Sequence, residues 1–457
     1  MAYENLEQAL GSVGNPVELL RNSQIGPYAF PVIPTEFTNW RDEQRSWRES
    51  CALFDQSHHM TDLYVEGPDA LRLLEGLAIN SFKGFKVDKA KQFIACNHEG
   101  YVIGDAILFY LAEQRFSLVG RPPAIDWVQF HCERGGYDVA AERDERSAVN
   151  RGRRKAYRFQ VQGPRALEVM EAATGGPVPD VKFFNMDVFR IAGRKVRALR
   201  HGMVGQPGWE LFGPWDEGEA VRQALIEAGR PFDLHQVGTR AYPTTTLESG
   251  WIPSPLPAVY TGEAMRPYRE WLKGTSYEAM ASLGGSFDSA EIEDYYLTPY
   301  ELGYGPIIKL DHDFIGRAAV ESMAGRPHRE KVTLAWNGED VARAFGSLFT
   351  GQGAPVKYID LPLANYATLP YDKVLKDGAP VGLSTYTGYS YNERSMLSLA
   401  CIDPECSRPG TEVVVLWGEA GGGSAKPTVE RHVQKEIRAT VGPAPYGETA
   451  RSAYRPK

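Results

Sequence analysis

The spacing of hydrophobic residues changes several times along the chain, and each change predicts a different element. Residues 58–65 and 93–119 show the pattern of strands, whereas residues 69–77 carry leucines at intervals of three, which is typical of a helix. Residues 124–134 predict a further helix, ended by two glycines. Because strands and helices alternate irregularly, this part of the chain is predicted to be α+β and not a doubly wound parallel sheet.

The same alternation continues through the middle of the chain. Strands are predicted at residues 157–161 and 209–212, with a helix between them that ends near residue 172. The first fifty residues are predicted to be helical. Residues 142–155 are rich in charge and are predicted to form a solvated loop or linker.

A β-rich pattern begins near Arg326. Short strands are predicted at residues 331–336 and 412–417, within a region broken by Gly, Pro and Asn. We therefore predict an α+β region of two interleaved subdomains at residues 1–325 and a separate C-terminal domain at residues 326–457. The strands of this second domain would form a barrel or a sandwich.

The composition is that of an ordered globular protein. Of the 457 residues, 43% are hydrophobic and 24% are charged, which excludes wholesale disorder. The net charge is −8, so the chain is expected to bind neither nucleic acid nor an anionic membrane through bulk charge. A small anion remains a suitable ligand, because it needs only one or two local cations.

No segment predicts a membrane span, a signal peptide or a metal centre. No apolar run approaches the roughly 18 residues of a membrane span, and the N-terminus has early acids without an apolar block. The five cysteines are odd in number and scattered, which favours reduced thiols in a cytoplasmic protein. Motifs typical of nucleotide-binding loops, serine hydrolases and zinc proteases are missing from the sequence.

Three places carry polar residues that are suited to chemistry. His58 and His59 are neighbours on a predicted strand and point to opposite faces, so one is expected to be buried and the other exposed, unless one faces a ligand cavity. Arg121 follows a predicted strand and is either a surface residue or a carboxylate-binding residue. Glu210, in an apolar strand, either faces water or accepts hydrogen bonds from a buried donor. These residues indicate an enzyme but name no reaction.

Four stretches resemble the folate-binding aminomethyltransferase family, which includes the T-protein of the glycine cleavage system. They are YRFQVQGPRALEVM (157–170), GWELFGP (208–214), TLESGWIPSP (246–255) and TPYELGYGPIIKLDHDFIGRAAV (298–320). The similarity covers nearly the whole chain in the same order. It implies the cloverleaf arrangement of that family, with a folate-binding α+β region and a C-terminal β-barrel.

Further stretches resemble one subgroup, the tetrahydrofolate-dependent aryl O-demethylases that act on vanillate and syringate. They are LRNSQIGPYAFPV (20–32), FDQSHHM (54–60), VGRPPA (119–124), GTRAYPTTTLESGWIPSPLPAVYTG (238–262) and TGYSYNERSMLSLA (387–400). This resemblance implies transfer of a methyl group from a methoxybenzoate to tetrahydrofolate, giving a phenol and 5-methyl-tetrahydrofolate. Syringate, vanillate, 3-O-methylgallate and chlorinated methoxybenzoates are all admissible substrates, and no metal is implied.

The resemblance also implies roles for single residues at the aryl side. Tyr242, in the RAYP segment, would donate a hydrogen bond to the ether oxygen as the bond breaks; the alternative is a packing aromatic. Arg121 would bind the substrate carboxylate, and His59, Tyr28 and Phe30 would line the aryl pocket. A tyrosine stands at the position of Phe30 in the vanillate-type enzymes, so Phe30 is expected to favour a bulkier or less polar ring substituent, such as a second methoxy group.

For the folate side, the resemblance implies one carboxylate and three further residues. Glu210 would accept hydrogen bonds from the amino group and a ring nitrogen of the pterin. Gln160, Val119 and Trp251 would line the same pocket.

Departures from the wider family narrow the activity. T-proteins carry two acidic residues where this chain has Gly104 and Asp105, which disfavours aminomethyl transfer. The cysteine motif of the iron–sulfur assembly relatives is missing after Glu248, and no flavin-binding half precedes the folate region. A T-protein-like aminomethyltransferase and a non-catalytic folate-binding factor remain the alternatives.

Overall fold

Short helices alternate with strands along most of the chain. The computed structural model describes residues 3–150, 153–253, 255–351 and 353–452. The α-helices, in chain order, are α1 Leu6–Val13, α2 Pro16–Asn22, α3 Trp40–Glu49, α4 Ala70–Leu77, α5 Pro122–Arg134, α6 Ala166–Thr174, α7 Gly218–Gly229, α8 Thr245–Ser249, α9 Arg266–Trp271, α10 Tyr277–Met280, α11 Arg317–Met323, α12 Gly338–Gly346 and α13 Glu448–Ser452.

The strands fall into two open sheets, a closed barrel and a small parallel pair. In chain order they are β1 Cys51–Asp55, β2 Thr61–Glu66, β3 Ala90–Cys96, β4 Val102–Ala112, β5 Arg115–Gly120, β6 Ala140–Asp144, β7 Ala156–Gln162, β8 Met186–Ile191, β9 Arg194–Arg200, β10 Gly208–Pro214, β11 Leu234–Val237, β12 Leu283–Gly284, β13 Glu330–Trp336, β14 Leu369–Pro370, β15 Asp372–Lys376, β16 Ala379–Ser390, β17 Ser395–Ile402, β18 Glu412–Trp417 and β19 Lys435–Gly442.

The first sheet has the strand order β11-β1-β7-β10-β9-β8. Strand β7 shows how the sequence gives this sheet two different faces. Tyr157, Phe159 and Val161 are buried against α6 and α7. The alternate residues, an arginine and two glutamines, point to the other face, and they are buried as well. One face is therefore an apolar core and the other a buried polar surface.

The second sheet has the order β3-β4-β5-β2-β6, and helices α4 and α5 cover its outer face. Its inner face lies against the polar face of the first sheet. Phe109 from β4 and Phe212 from β10 meet edge to face with ring centroids 5.3 Å apart, and Val119 belongs to the same cluster. This contact fixes the spacing of the two sheets beside their polar residues.

The C-terminal strands close into a barrel in the order β13-β17-β16-β15-β18-β19. Trp336 and Trp417 pack edge to face in its interior, at a centroid distance of 5.4 Å. The α+β class and the barrel predicted from the sequence are confirmed, and the sandwich alternative is wrong. A domain boundary between residues 325 and 326 stays a prediction; the first barrel strand begins at Glu330.

One contact between the barrel and the first part of the chain is centred on a buried carboxylate. Glu248 of α8 accepts hydrogen bonds from Trp47 of α3 (2.9 Å), from Ser390 of β16 (2.7 Å) and from Asn392 (3.1 Å). Nearby, the Tyr386 hydroxyl of β16 donates to the carbonyl of Pro243 (3.2 Å). Helix, barrel and the segment before α8 are therefore joined at one place.

Several predicted elements are confirmed and two are wrong. Residues 58 and 59 lie in the turn between β1 and β2, because strand β2 begins only at Thr61. Residues 142–155 are not a solvated linker: β6 includes the first of them, and Asp144 and Arg154 are buried. Charge was a poor guide here, since these charged residues are paired with each other. Residues 151 and 152 lie outside the described residues.

The first fifty residues include helices α1, α2 and α3, but residues 23–39 between α2 and α3 have no regular helix or strand. All five cysteines carry free thiols, and burial raises the pKa of the Cys51 and Cys96 thiols. A helix with the length and apolar character needed to cross a bilayer is not found in the described part of the chain.

Candidate active site

Tyr242 lies at the centre of a box of aromatic rings. It begins a short 3-10 turn, Tyr242–Thr244, that leads directly into α8, and only 7% of the residue is exposed. The ring centroids of Phe30, Phe54 and His59 lie 5.4, 5.1 and 5.0 Å from that of Tyr242. The RAYP segment therefore places a phenol among aromatic rings that come from three separate segments.

The Tyr242 hydroxyl has one fixed hydrogen-bond donor. The side-chain amide of Gln56 donates to the phenol oxygen at 2.9 Å. Burial raises the pKa of Tyr242, so the phenol stays protonated at neutral pH. Since its oxygen already accepts one hydrogen bond, its proton is available for an acceptor in the box. Gln56 was missed as a site residue, although the FDQSHHM stretch contains it.

His59 is a neutral wall of the box. It stacks on Phe30 at 4.6 Å, and burial, together with the nearby Arg121 guanidinium, lowers the pKa of His59 to about 3. Its Nδ1 is buried without a hydrogen-bond partner among the described residues. His58 turns the other way and contacts the Ser147 hydroxyl at 2.9 Å. The two histidines point in different directions, but from a turn and not from a strand, and both are buried, so the expectation that one of them is exposed is wrong.

Two arginines meet at the far wall of the box. Arg121 lies between β5 and α5, and its guanidinium is 4.4 Å from the ring centroid of Tyr28. Arg146 lies 4.7 Å from the centroid of the same ring. Tyr28 in turn donates a hydrogen bond to the carbonyl of His59. This end of the box is cationic, and a carboxylate is the ligand group that two guanidiniums favour.

Arg146 was missed because it lies in the charged stretch that was predicted to be solvated. No local pattern in the sequence indicates that this stretch folds back onto the aromatic residues. Only the alternation of acidic and basic residues at positions 142–155 could have suggested internal pairing.

Glu210 and Gln160 form the second half of the site. They lie directly opposite each other on β10 and β7. Glu210 is 5% exposed and Gln160 is fully buried. Burial raises the pKa of Glu210, while the Arg158 guanidinium, 2.9 Å from Glu210 Oε1, opposes that rise. Of the two possibilities left open for Glu210, a buried donor is the correct one.

Unsatisfied acceptors in this half indicate what it binds. Gln160 donates to the carbonyl of His201 at 2.8 Å, but its Oε1 is buried without a partner among the described residues. Glu210, its partner across the strand pair, offers a second acceptor, because its Oε2 accepts no hydrogen bond from the described residues. A pterin presents an amino group and a ring N–H along one edge, and two neighbouring acceptors match those donors. The residues present therefore fit a reduced folate, which Val119 and Phe212 would contact as apolar neighbours.

Trp251 belongs to a different cluster from Glu210. It is 37% exposed, and its indole N–H donates to Asp105 at 2.8 Å. Asp105 also accepts hydrogen bonds from Gln92 (2.7 Å) and Tyr304 (3.0 Å), although burial raises the pKa of this carboxyl. Asp105 and Arg121 line one small cavity, so Trp251 lies near the cationic end of the box.

The fold is an α+β region with an appended barrel, and its site combines a buried Glu210–Gln160 pair with an aromatic box that is cationic at one end. A family model described as the GCVT N-terminal domain matches residues 22–254. The chain belongs to this family, the aminomethyltransferase superfamily predicted from the sequence.

Two relatives match almost the whole chain. Syringate O-demethylase of Sphingobium sp. (strain NBRC 103272 / SYK-6) is 53% identical over 452 residues, which cover 99% of this chain and 98% of that protein. Sesamin methylene transferase of Sinomonas sp. (strain No.22) is 32% identical, over 92% of this chain and 91% of that protein. The predicted resemblance to the aryl O-demethylases is thus confirmed.

One solved structure supports the fold. The glycine cleavage system aminomethyltransferase T from Bartonella henselae superposes with a TM-score of 0.61 and 18% identity, covering 96% of this chain and 98% of that one. The cloverleaf arrangement predicted from the sequence is confirmed by this likeness.

Proposed function

We propose that this protein is a tetrahydrofolate-dependent O-demethylase, which transfers the methyl group of a methoxybenzoate to tetrahydrofolate. The observation that carries the proposal is the aromatic box, in which a neutral phenol held by Gln56 lies between a cationic end at Arg121 and the Glu210–Gln160 pair. The identity to syringate O-demethylase over nearly the whole chain supports the same reaction.

The difficult part of this reaction is the departure of the aryl oxygen. A phenol has a pKa of about 10, so an unassisted phenolate is a poor leaving group. A hydrogen bond from the Tyr242 hydroxyl to the ether oxygen would stabilise the charge that develops there, and such assistance typically contributes about 10²–10⁴ in rate. Gln56 would hold the phenol oxygen so that its proton points at the ether and not at the protein.

Tetrahydrofolate supplies the nitrogen nucleophile that accepts the methyl carbon. The O–CH₃ bond of the substrate breaks as the N–CH₃ bond forms, and the proton lost from that nitrogen balances the one gained by the phenol product. Glu210 and Gln160 would hold the pterin edge, and the facing sheets would exclude water. Positioning is needed because this nitrogen is a weak nucleophile.

The substrate would lie with its carboxylate at Arg121 and its ring between Phe30 and the neutral His59. Phe30 offers no hydroxyl to the ring substituents, so we expect a preference for substrates with two methoxy groups, such as syringate, over those with one. Neutral His59 can accept a hydrogen bond from a ring hydroxyl without adding charge to the box.

The proposed function is tested by incubation with tetrahydrofolate and a panel of methoxybenzoates, with 5-methyl-tetrahydrofolate as the measured product. Tyr242→Phe should keep folate and substrate binding but lose at least about 100-fold in kcat. Tyr300→Phe is the matched control, because it removes a phenol hydroxyl that lies outside the aromatic box and donates to the carbonyl of Val320. Unchanged turnover in Tyr242→Phe would remove this tyrosine from its role, and no methylated folate with any substrate would overturn the proposed reaction.

A further inference from the structure

A buried row of five alternating charges runs between the two sheets. Arg158 donates to Glu210 at 2.9 Å and to Asp62 at 2.7 and 3.0 Å. Arg154 donates to the other oxygen of Asp62 at 2.8 Å and to Asp144 at 3.0 Å. All five side chains are at most 7% exposed. The row begins at Glu210, the residue proposed to bind the pterin, and ends at Asp144 of β6.

Arg158 is held in one plane by its surroundings. The rings of Phe109 and Phe212 lie 4.9 and 4.8 Å from its Cζ, so aromatic side chains pack against the guanidinium. Its in-plane donors are directed to Asp62 and Glu210. A planar fork with fixed partners has little freedom to turn, and it therefore fixes the position of the carboxylates that it binds.

Glu210 is held at one oxygen and open at the other. Oε1 accepts the hydrogen bond from Arg158, whereas Oε2 accepts none from any residue that the structure describes. Three acids and two arginines leave the row with one negative charge in excess. A buried ion pair of this kind is seldom worth its desolvation for stability alone, so its retention beside a ligand-binding acceptor needs another reason.

We propose that Arg158 is a positioning residue for the folate site, which keeps Glu210 ionised and aimed at the donor edge of the pterin. This inference rests on the proposed function. A protonated Glu210 would place an O–H donor against the N–H donors of the pterin, and one of the hydrogen bonds to the pterin would be lost. The Arg158 guanidinium is the nearest positive charge that prevents this, and Asp62 holds it in place.

The groups around Glu210 set the sign of the pH dependence. Arg158 favours its ionised form, while burial and the Asp62 charge disfavour it and so raise its pKa. From the neighbouring turn, the neutral Tyr242 hydroxyl faces Glu210, and His201 near Gln160 stays neutral because burial lowers its pKa to about 4. Removal of Arg158 would therefore raise the pKa of Glu210 further, and folate affinity would fall at neutral pH and return as the pH rises.

The test is direct titration of the full-length protein with tetrahydrofolate between about pH 6 and pH 9. Arg158→Met should weaken binding about 10- to 100-fold at neutral pH, with part of the affinity regained at the alkaline end. Arg143→Met is the matched control, since Arg143 of β6 pairs with the buried Asp126 of α5, outside the row. That control should leave both the affinity and its pH profile unchanged.

Two outcomes would overturn the proposal: wild-type affinity in a folded Arg158→Met variant, or a loss of the same factor at every pH. If Arg158→Met does not fold, Arg158→Lys tests the proposal instead, because lysine keeps the positive charge but lacks the planar guanidinium that binds two carboxylates. It should show a smaller loss with the same pH trend, and a wild-type profile would overturn the proposal. Wild-type demethylation is measured alongside. Intact folate binding without turnover would contradict the proposed function and leave the role of Arg158 standing.

Discussion

At the scale of single residues, the site depends on side chains whose charge state is set by burial. Tyr242 stays a phenol and His59 stays an uncharged imidazole, because water is excluded from both. Gln56 then gives the phenol a direction by donating to its oxygen. A strong neutral donor results, which suits an ether oxygen in an apolar cavity better than a charged acid would.

Arg121 should determine whether a substrate carboxylate is recognised. Arg121→Ala removes one of the two guanidiniums that lie over Tyr28 at the end of the box. Because hydrogen bonds to charged groups contribute about 1.5–3 kcal/mol, we expect kcat/KM for methoxybenzoates to fall about 10- to 100-fold. Methoxyphenols without a carboxylate should lose little. Steady-state kinetics on both substrate classes measure the difference, and equal losses on both would argue against carboxylate recognition.

Single residues were also where sequence reasoning was most and least successful. Tyr242, His59 and Phe30 were all identified through the family resemblance, and the structure places them in one box; their roles stay proposals. Gln56 and Arg146 were missed. Neither residue type is informative in isolation, and only the fold brings Arg146 from a charged loop to the face of Tyr28.

At the scale of elements, the two faces of strand β7 have different roles: one packs into the apolar core, and the other carries the polar residues proposed to bind folate. Its alternate residues Tyr157, Phe159 and Val161 face the helices, and its arginine and glutamines face the other sheet. Sequence analysis predicted the strand but could not tell that its polar face is buried. A strand in which apolar and polar residues alternate normally has one face exposed to solvent. In β7 the polar face is instead covered by the second sheet.

Paired substitutions on β7 should show this separation. Val161→Ala deletes two buried methyl groups and should lower the free energy of unfolding by about 2 kcal/mol, with folate affinity retained. Gln160→Leu should weaken folate binding about tenfold while it changes stability by less than about 1 kcal/mol. Denaturant unfolding and folate titration of both variants measure the two quantities. If both variants lost stability and affinity together, the two faces would not be independent.

The segment 142–155 shows why charge patterns mislead at this scale. Arg154 donates to the carbonyls of Ser57 (2.6 Å) and Met60 (3.1 Å), on either side of the two histidines, as well as to its acidic partners. The sequence shows the charges but not their pairing, because Asp62, one of the acidic partners of Arg154, lies 92 positions away. Long-range pairing of this kind is not contained in a local pattern.

At the scale of the whole molecule, Glu248 joins the parts that surround Tyr242. It lies on α8, and its carboxylate receives donors from α3 and from the barrel. Glu248→Ala would leave buried donors of Trp47, Ser390 and Asn392 without their acceptor. Each such donor costs about 1–3 kcal/mol, so we expect a melting temperature lower by about 5 °C or more and a reduced kcat.

Thermal unfolding and turnover of Glu248→Ala test this coupling. The control is Glu339→Ala, an exposed acid on α12, which should change neither quantity. A variant that melted earlier but kept full kcat would show that Glu248 stabilises the fold without positioning the turn of Tyr242.

The overall arrangement could be predicted from the sequence, but the contacts between the barrel and the site could not. The order of strands, helices and barrel follows from hydrophobic spacing and from motifs that extend over most of the chain. Contacts between barrel and site do not: Tyr386 adopts a positive φ of 51° where the pairing register of β16 and β17 shifts, and its hydroxyl reaches Pro243. A tyrosine in a β-rich segment carries no sign of such a bend.

The contact between Tyr386 and Pro243 spans 143 positions of the sequence, and this separation has a consequence during protein synthesis. The turn that bears Tyr242 leaves the ribosome long before Tyr386, Ser390 and Asn392 are translated. Until they emerge, α8 and its preceding turn lack the barrel partners that fix them. A polypeptide truncated before residue 386 therefore lacks the buried partners of α8 and of the turn that bears Tyr242.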